Sequence, residues 1–411
     1  PLFYMDVLYD PAMRRYRMWY NIGFNAIEPA FCYAYAESVD GLKWTRPNLG
    51  LVEVQGSKNN NLIDAPFDHA ALVFVDDGPN CPDPSRRYKM AFTGDGLWVA
   101  FSPDGYHFKE YPENPVIEMH ANNVPIGQPG YENNIGDIAD GCWDPLKNEY
   151  LVGCKVEKTG FPGRARRHFE GYRRCVGMTT SRDFIHWYKP RLLFTPDPAN
   201  GMEEFYGFKP MVRGNLYIGF MRVLRDDLAA DDVGMLDGIG WTELISSRDG
   251  LKWTRYQEKF LDRDLARGKW DHAMAWFADC ITVGDKDYIY YGGYSAGHKT
   301  GDRQLGMAIL RKNGFVSRNA EKEPGLLKTP LAELPADSMT LNADVRGEMK
   351  ARIVDSRGRA LPGFDWADCI PIRGDSVSHL VKWRGSPKLP RFQQVSVEFS
   401  LRDAEFYGFD F

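Results

Sequence analysis

Twice in the chain a carboxylate and a histidine open an apolar run in the same order, as Asp68-His69-Ala70 and Asp271-His272-Ala273. Two further apolar runs begin on acids, Asp137-Ile138-Ala139-Asp140 and Glu203-Glu204-Phe205-Tyr206. Carboxylates converging in an aromatic-lined cleft suit cleavage of a glycosidic bond. One protonated acid serves the leaving oxygen, and one ionised partner attacks or activates water. Their mutual repulsion would raise one pKa, as the acid role requires. Asp68, Asp137, Glu204 and Asp271 are the candidate catalytic set. His69 and His272 are candidates for bonding sugar hydroxyls or a metal, and Asp140 and Tyr206 for lining the same cleft. Trp270, with Trp98, Trp241 and Trp276, could offer an indole face to a sugar ring. Arg222 could clamp a carboxylate or phosphate, and His298 is expected at the same rim. The stretch 155–174, carrying Arg164, Arg166, Arg167, Arg173 and Arg174, reads as a solvated loop or as a recognition element for an acidic sugar. Each residue also has an ordinary structural reading, as a solvated strand end, a core histidine or a packed indole. The set implies a pocket more strongly than any member.

Internal repeats supply the elements that would aim these residues. Ser-x-Asp-Gly-x-x-aromatic occurs at Ser38–Trp44, Ser102–Phe108 and Ser247–Trp253, and at Ser181–Trp187 with Phe184 in the glycine position. Asp-Gly supplies the positive φ of a tight turn. A second signal precedes each copy: Asp10-Pro11 before Tyr16–Tyr20, Asp83-Pro84 before Tyr88–Phe92, and Asp144-Pro145 before Tyr150–Val152. Looser copies lie at Gly214–Phe220 and Gly284–Tyr291. Each reads as a hairpin turn leading into an alternating strand. Five such units of roughly sixty residues predict a radial all-β array. The expected fold is a five-bladed β-propeller over residues 1–323, with a repetitive β-sandwich as the alternative. After a Pro/Leu linker, a small C-terminal β-sandwich is expected over 324–411, where Gly347–Val354 and Gln394–Leu401 alternate polar and apolar residues. In a propeller the strand opening each unit lines the central channel, so its leading residues face the ligand mouth.

The composition agrees with this reading. Among 411 residues, aromatics make up 14% and Gly numbers 40, which favours short strands and tight turns. A net charge of −5 excludes the broad basic footprint of a nucleic-acid or acidic-lipid binder. No apolar run reaches the 18 residues of a membrane-spanning helix. The chain opens on strand-like Pro1-Leu2-Phe3-Tyr4 without a basic leader, and a secreted or periplasmic location is expected. Seven scattered cysteines without C-x-x-C spacing argue against zinc. Cys154 and Cys175 flank one insertion and could pair. Carboxylates and carbonyls around a channel could hold a calcium ion, although no ligand spacing demands one. The expected partner is a carbohydrate, with no cofactor required and the oligomeric state open.

The repeats, the Glu204-Phe205-Tyr206-Gly207 segment and the Trp270-Asp271 strand resemble the five-bladed propeller glycoside hydrolases. The likeness is to uncharacterised proteins similar to the family 32 N-terminal domain, with kinship to family 43. Leu305–Phe315 resembles their last propeller strand, and Leu401–Tyr407 their appended β-sandwich. The resemblance implies three acids in the order Asp, Asp, Glu, acting as base or nucleophile, transition-state stabiliser and general acid. Carried over, these are Asp68, Asp137 and Glu204. The family's Trp-x-Asn-Asp-Pro-Asn-Gly, Arg-Asp-Pro and Glu-Cys motifs are absent, its first acid belongs to the first blade, where this chain offers Asp6, and Asp271 or Asp140 could hold one of the roles. The resemblance implies glycoside hydrolysis. A carbohydrate-binding propeller without turnover and a phosphorolytic enzyme are the alternatives.

Overall fold

Strands account for nearly all regular structure in the computed structural model. It describes residues 4–23, 31–66, 70–119, 135–163, 170–231, 238–298, 300–385, 387–391 and 393–411, and no α-helix occurs among them. The chain packs as two units, Pro1–Ile281 with Tyr288–Ala308, and Thr282–Asp287 with Ile309–Phe411.

Five antiparallel meanders follow in chain order. The first holds β1 (Met5–Asp10), β2 (Arg15–Gly23) and β3 (Phe31–Ser38). The second holds β4 (Ala70–Asp76), β5 (Tyr88–Thr93) and β6 (Gly96–Ser102), with the short β7 (Lys109–Glu110) and β8 (Ile117–Glu118) on β6. The third is β9 (Ala139–Asp144), β10 (Glu149–Lys158), β11 (Arg173–Ser181) and β12 (Arg191–Phe194). The fourth is β13 (Glu204–Arg213), β14 (Leu216–Arg225), β15 (Ile239–Ser247) and β16 (Trp253–Leu261). The fifth is β17 (Met274–Val283), β18 (Lys286–Tyr294) and β19 (Arg303–Arg311). The Asp-Pro hairpins form because the aspartate caps its own turn. Asp10 Oδ1 accepts the N–H groups of Ala12 and Met13 at 3.0 Å each, and Asp144 Oδ1 accepts that of Leu146 at 2.9 Å.

The first strands of successive meanders touch in turn, and the last returns to the first. Phe74 N on β4 donates to Asp6 Oδ2 on β1 at 3.0 Å. At Gly141 on β9 an added Cβ would stand 2.7 Å from the Val73 side chain of β4, so only glycine permits this approach. Ile138, just before β9, lies equally close to Gly207 on β13. Lys209 on β13 lies 3.9 Å from Asp279 on β17, whose other oxygen accepts Val7 N of β1 at 2.6 Å.

The recurring Ser-x-Asp turn clasps each meander to the one before it. In the first copy Ser38 Oγ accepts Gly41 N at 2.9 Å, while Asp40 Oδ1 accepts Leu42 N and Lys43 N at 2.8 Å each. The same serine bond recurs at 2.9 Å at Gly105, Phe184 and Gly250. The turn carbonyls then receive donors from the preceding meander. Trp19 Nε1 reaches Gly105 O at 2.8 Å, and Arg191 Nη2 reaches Gly250 O at 3.0 Å. Tyr290 OH reaches Gly41 O at 2.6 Å, joining the fifth meander to the first. In the third copy Phe184, at φ 68°, fills the gap with its ring, packing edge-on to Phe101 of the second meander. Aromatic pairs fill other seams as well: Trp19 stacks on Phe74 at 3.8 Å and Phe220 on Phe277 at 3.7 Å. Each such pair is worth about 0.5–1.5 kcal/mol beyond its buried area.

The C-terminal unit is one sheet in the order β20 (Arg318–Ala320), β25 (Gln394–Asp410), β23 (Thr340–Val354) and β24 (Ile372–Leu380). The short β21 (Gly325–Lys328) and β22 (Ala332–Glu333) also pair with β25. Alternation buries Leu341, Ala343 and Val345, then Met349, Ala351 and Ile353, against Val397, Phe399 and Leu401. The register shift between Val345 and Glu348 carries the apolar face past a bulge. Strand β20, which precedes residue 324, already belongs to this sheet.

Candidate functional site

Tyr206, the third residue of β13, is buried, and its ring is the centre on which charged groups of several meanders meet. Trp276 stacks beneath it at 4.8 Å and 23°, and the His298 ring meets it edge-on at 4.7 Å. Lys155 Nζ of β10 lies 5.7 Å from the ring centroid, and the Arg174 guanidinium of β11 lies 5.3 Å from it. The hairpin register explains why these two cations share a face. Glu157 sits opposite Arg174, and Lys155 lies two residues before Glu157 on the same strand.

Each of these cations holds a carboxylate. Lys155 is ion-paired with Asp137, whose side chain is 55% exposed, and lies 3.6 Å from Glu157. Arg174 Nη1 donates to Glu204 Oε2 at 2.5 Å, and its backbone N–H donates to Oε1 at 3.0 Å. The Glu204 side chain is 0% exposed. Burial pushes the Glu204 carboxyl above the usual range, against the opposing pull of Arg174. Burial pulls Lys155 down, but Asp137 and Tyr206 outweigh it and hold its pKa above the ordinary value. Burial also raises Tyr206, with Asp137 adding to the rise while Lys155, Arg174 and Arg303 oppose it.

A second layer of charge lies around the ring's inner strands. Arg222 on β14 donates to both oxygens of Asp140 on β9, and its Nε donates to Phe277 O at 2.9 Å. Lys209 is ion-paired with Asp6. Burial pulls the Lys209 ammonium down, yet Asp279 and Asp6 raise it further, and burial pushes the Asp6 carboxyl up against Lys209. Asp6, Asp140 and Asp279 are thus all matched by cations of the chain itself.

The structure brings together Asp137, Glu204, Tyr206 and His298, with Asp140 and Arg222 in the adjoining buried layer. Other candidates have partners of their own. Asp271 accepts from Tyr291 OH at 3.0 Å, and Trp270 stacks on the same tyrosine at 5.3 Å. His272 is buried between the Asp264 carbonyl, 2.9 Å from Nδ1, and the Asp231 carboxylate, 2.8 Å from Nε2. Trp276 is wholly buried, with Nε1 donating to Val223 O at 3.0 Å, so it supports Tyr206 instead of offering a face to a sugar. Cys154 and Cys175 are both free; their register partners are Gly177 and Val156, which leaves them staggered on neighbouring strands. Asp68, His69, Arg164, Arg166 and Arg167 lie outside the described residues.

Three groups at the site had no assigned role in the sequence reading: Lys155, Tyr294 and Arg303. Lys155 lies within the basic stretch, where alternation along β10 could have singled it out. Arg303 carried no local signal. Its Nη2 donates to His298 O at 3.0 Å and its guanidinium lies 4.9 Å from the Tyr294 ring centroid. Such an arrangement of carboxylates, cations and buried aromatics can bind a polar ligand and exchange protons with it.

No family model matches the chain, and no curated protein does. Solved structures similar to it at low identity include several glycoside hydrolases and an N-acetylgalactosamine deacetylase from F. plautii. A thermostable family-43 glycoside hydrolase is 15% identical with a TM-score of 0.49, covering 75% of this chain and 89% of its own. The Bombyx mori GH32 β-fructofuranosidase BmSUC1 is 11% identical with a TM-score of 0.44, covering 94% and 88%. A structure from the GH130 family of mannoside phosphorylases is 14% identical with a TM-score of 0.45, covering 72% and 81%. Function must therefore be read from this chain's own residues.

Proposed function

We propose that the protein is a carbohydrate-active enzyme that cleaves glycosidic bonds in oligo- or polysaccharides. Its scaffold on this reading is a five-bladed β-propeller, and the C-terminal sheet is an accessory unit in place of the expected β-sandwich. One observation carries the proposal. Two carboxylates from the leading ends of adjacent meanders flank Tyr206, Asp137 exposed and ion-paired, Glu204 buried with its pKa raised. These are the opposed environments that acid and base roles require.

In this mechanism Asp137 is the ionised partner that attacks or activates water, with Lys155 fixing its position. Glu204 supplies the proton to the leaving oxygen. Because Arg174 holds the buried Glu204 carboxyl, proton delivery requires Arg174 to turn from it as substrate enters. Arg222 pairs with Asp140, and Lys209 is shared between Asp6 and Asp279; with these cations in place turnover on this reading needs no metal, and EDTA leaves it unchanged.

The test is a panel of plant and algal glycans, read by reducing-end release and thermal shift in parallel. Release that disappears in both Asp137→Asn and Glu204→Gln supports cleavage. A thermal shift without release identifies a binding propeller, and release that survives both substitutions removes the pair from the chemistry.

A further inference from the structure

We infer that the Tyr206 pocket contains an oxyanion subsite built on Arg303, which takes the carboxylate of a uronic acid unit or a free phosphate. The inference rests on the reading of this pocket as a sugar site and names the class of ligand it accepts.

Four cations gather around Tyr206 and its neighbours, and three are matched. Lys155 pairs with Asp137, Arg174 with Glu204, and Arg222 with Asp140. Arg303 has no carboxylate partner among the described residues. Its contacts are the His298 carbonyl at 3.0 Å and the face of Tyr294 at 4.9 Å. A guanidinium carries five N–H donors in a planar fork, so one hydrogen bond leaves an edge for a bidentate oxyanion. The half-buried position makes this an uncommon place to leave a charge unmatched.

Geometry ties Arg303 to the carboxylate pair. His298, whose carbonyl anchors the guanidinium, presses its ring against Tyr206 and lies 5.5 Å from Trp276. Tyr294, under the guanidinium, packs on Trp276 at 5.7 Å. The aromatic wall thus holds the cation half-buried beside Tyr206, where a charge-assisted bond is stronger than in open water. A neutral sugar would leave this charge unused. A planar carboxylate or a tetrahedral phosphate would satisfy it, and arginine suits both better than lysine does.

The experiment is titration calorimetry of the full chain with orthophosphate, glucuronate, galacturonate and glucose at constant ionic strength. At least one anion is expected to bind ten-fold or more tightly than glucose. Arg303→Met should weaken that binding at least ten-fold with the melting curve unchanged. Arg303→Lys, which keeps the charge without the fork, should give intermediate affinity and guards against a folding defect in the first variant. Binding of phosphate alone assigns the subsite to a free phosphate co-substrate, and binding of a uronate assigns it to the sugar. If no anion outcompetes glucose, or both variants bind as the parent does, the subsite is overturned. Asp137→Asn should lose cleavage yet keep anion binding, so failure of the subsite and failure of the cleavage proposal give different results.

Discussion

Arg222 grips Asp140 through two hydrogen bonds of 2.6 and 3.1 Å while both side chains are 0% exposed. The pair joins the third meander to the fourth, and the third bond of the guanidinium extends the link to the fifth. Removing one partner strands a buried charge. Arg222→Met should therefore cost about 3–5 kcal/mol in urea unfolding. Replacing both, as Arg222→Met with Asp140→Leu, should recover most of that loss, because no charge is then left buried. A single variant as stable as the parent would show that solvent reaches Asp140.

On the proposed function, Glu204 should give turnover an alkaline limb. Burial raises its pKa, so the proton needed for the acid step is retained at low pH and lost as pH rises through the raised value. Turnover should fall over that rise, and Glu204→Gln should lower kcat by roughly 10²–10⁴ with an unchanged circular dichroism spectrum. The sign for stability is the same. The group's contribution is fully present below the unfolded glutamate value, about 4.3, and is lost as pH rises through the folded one. A pH–rate profile flat on the alkaline side would remove Glu204 from the acid role.

The repeated turns should set the acid limit of the fold. Lys252 and Leu251 N–H groups hold Asp249 down at about 2. At Asp104 and Asp183 burial pushes up, but hydrogen bonds from turn N–H groups, histidine rings and serines outweigh it and bring both to about 2. Their stabilisation is present above the unfolded aspartate value near 3.9 and is lost as pH falls through about 2. Asp104→Asn, Asp183→Asn and Asp249→Asn should each melt below the parent at pH 6, with the gap closing toward pH 2. A gap that persists at pH 2 would assign the effect to packing.

Phe184 sets strain against burial. Its φ of 68° is unfavourable for a side chain, by about 1–2 kcal/mol. Its ring is 0% exposed and packs on Tyr150 at 5.0 Å and Trp187 at 5.3 Å. Emptying such a site costs about 3–5 kcal/mol. Phe184→Gly relieves the strain and loses the packing, so a net destabilisation of about 2–3 kcal/mol is expected by denaturant melts. Stabilisation instead would show that the neighbouring meanders close the gap by themselves.

The repeats were legible because a turn is a local event. Serine, aspartate and glycine at fixed spacing satisfy one another within a few residues, so Ser38–Gly41 declares its geometry wherever it occurs. The hairpins at Asp10 and Asp144 were legible for the same reason. Asp137 and Glu204 could be found because the repeats date the start of each leading strand. The partners of those acids could not. Whether Lys155 meets Asp137 depends on the register of β10 against β11, and whether Arg174 meets Glu204 depends on how two meanders pack. Asp271 and His272 show the converse. The leading position of their strand suggested a ligand-facing role, but Tyr291 and Asp231 engage them, and no local pattern in the sequence names those partners.

Four junctions around the ring are fastened by one interchangeable device, the Ser-x-Asp turn, and the junction between the fourth and fifth meanders is not. There the parallel bridge of Gly240 with Met274 is joined by the Trp276 bond to Val223, the Arg222 bond to Phe277, the Thr242 bonds to Ala275 and Phe277, and the Phe220–Phe277 stack. A substitution at a uniform joint alters one copy of a repeated turn. At the odd joint Trp276 both fastens the two meanders and stacks beneath Tyr206, so on the proposed function drift there would alter robustness and chemistry together.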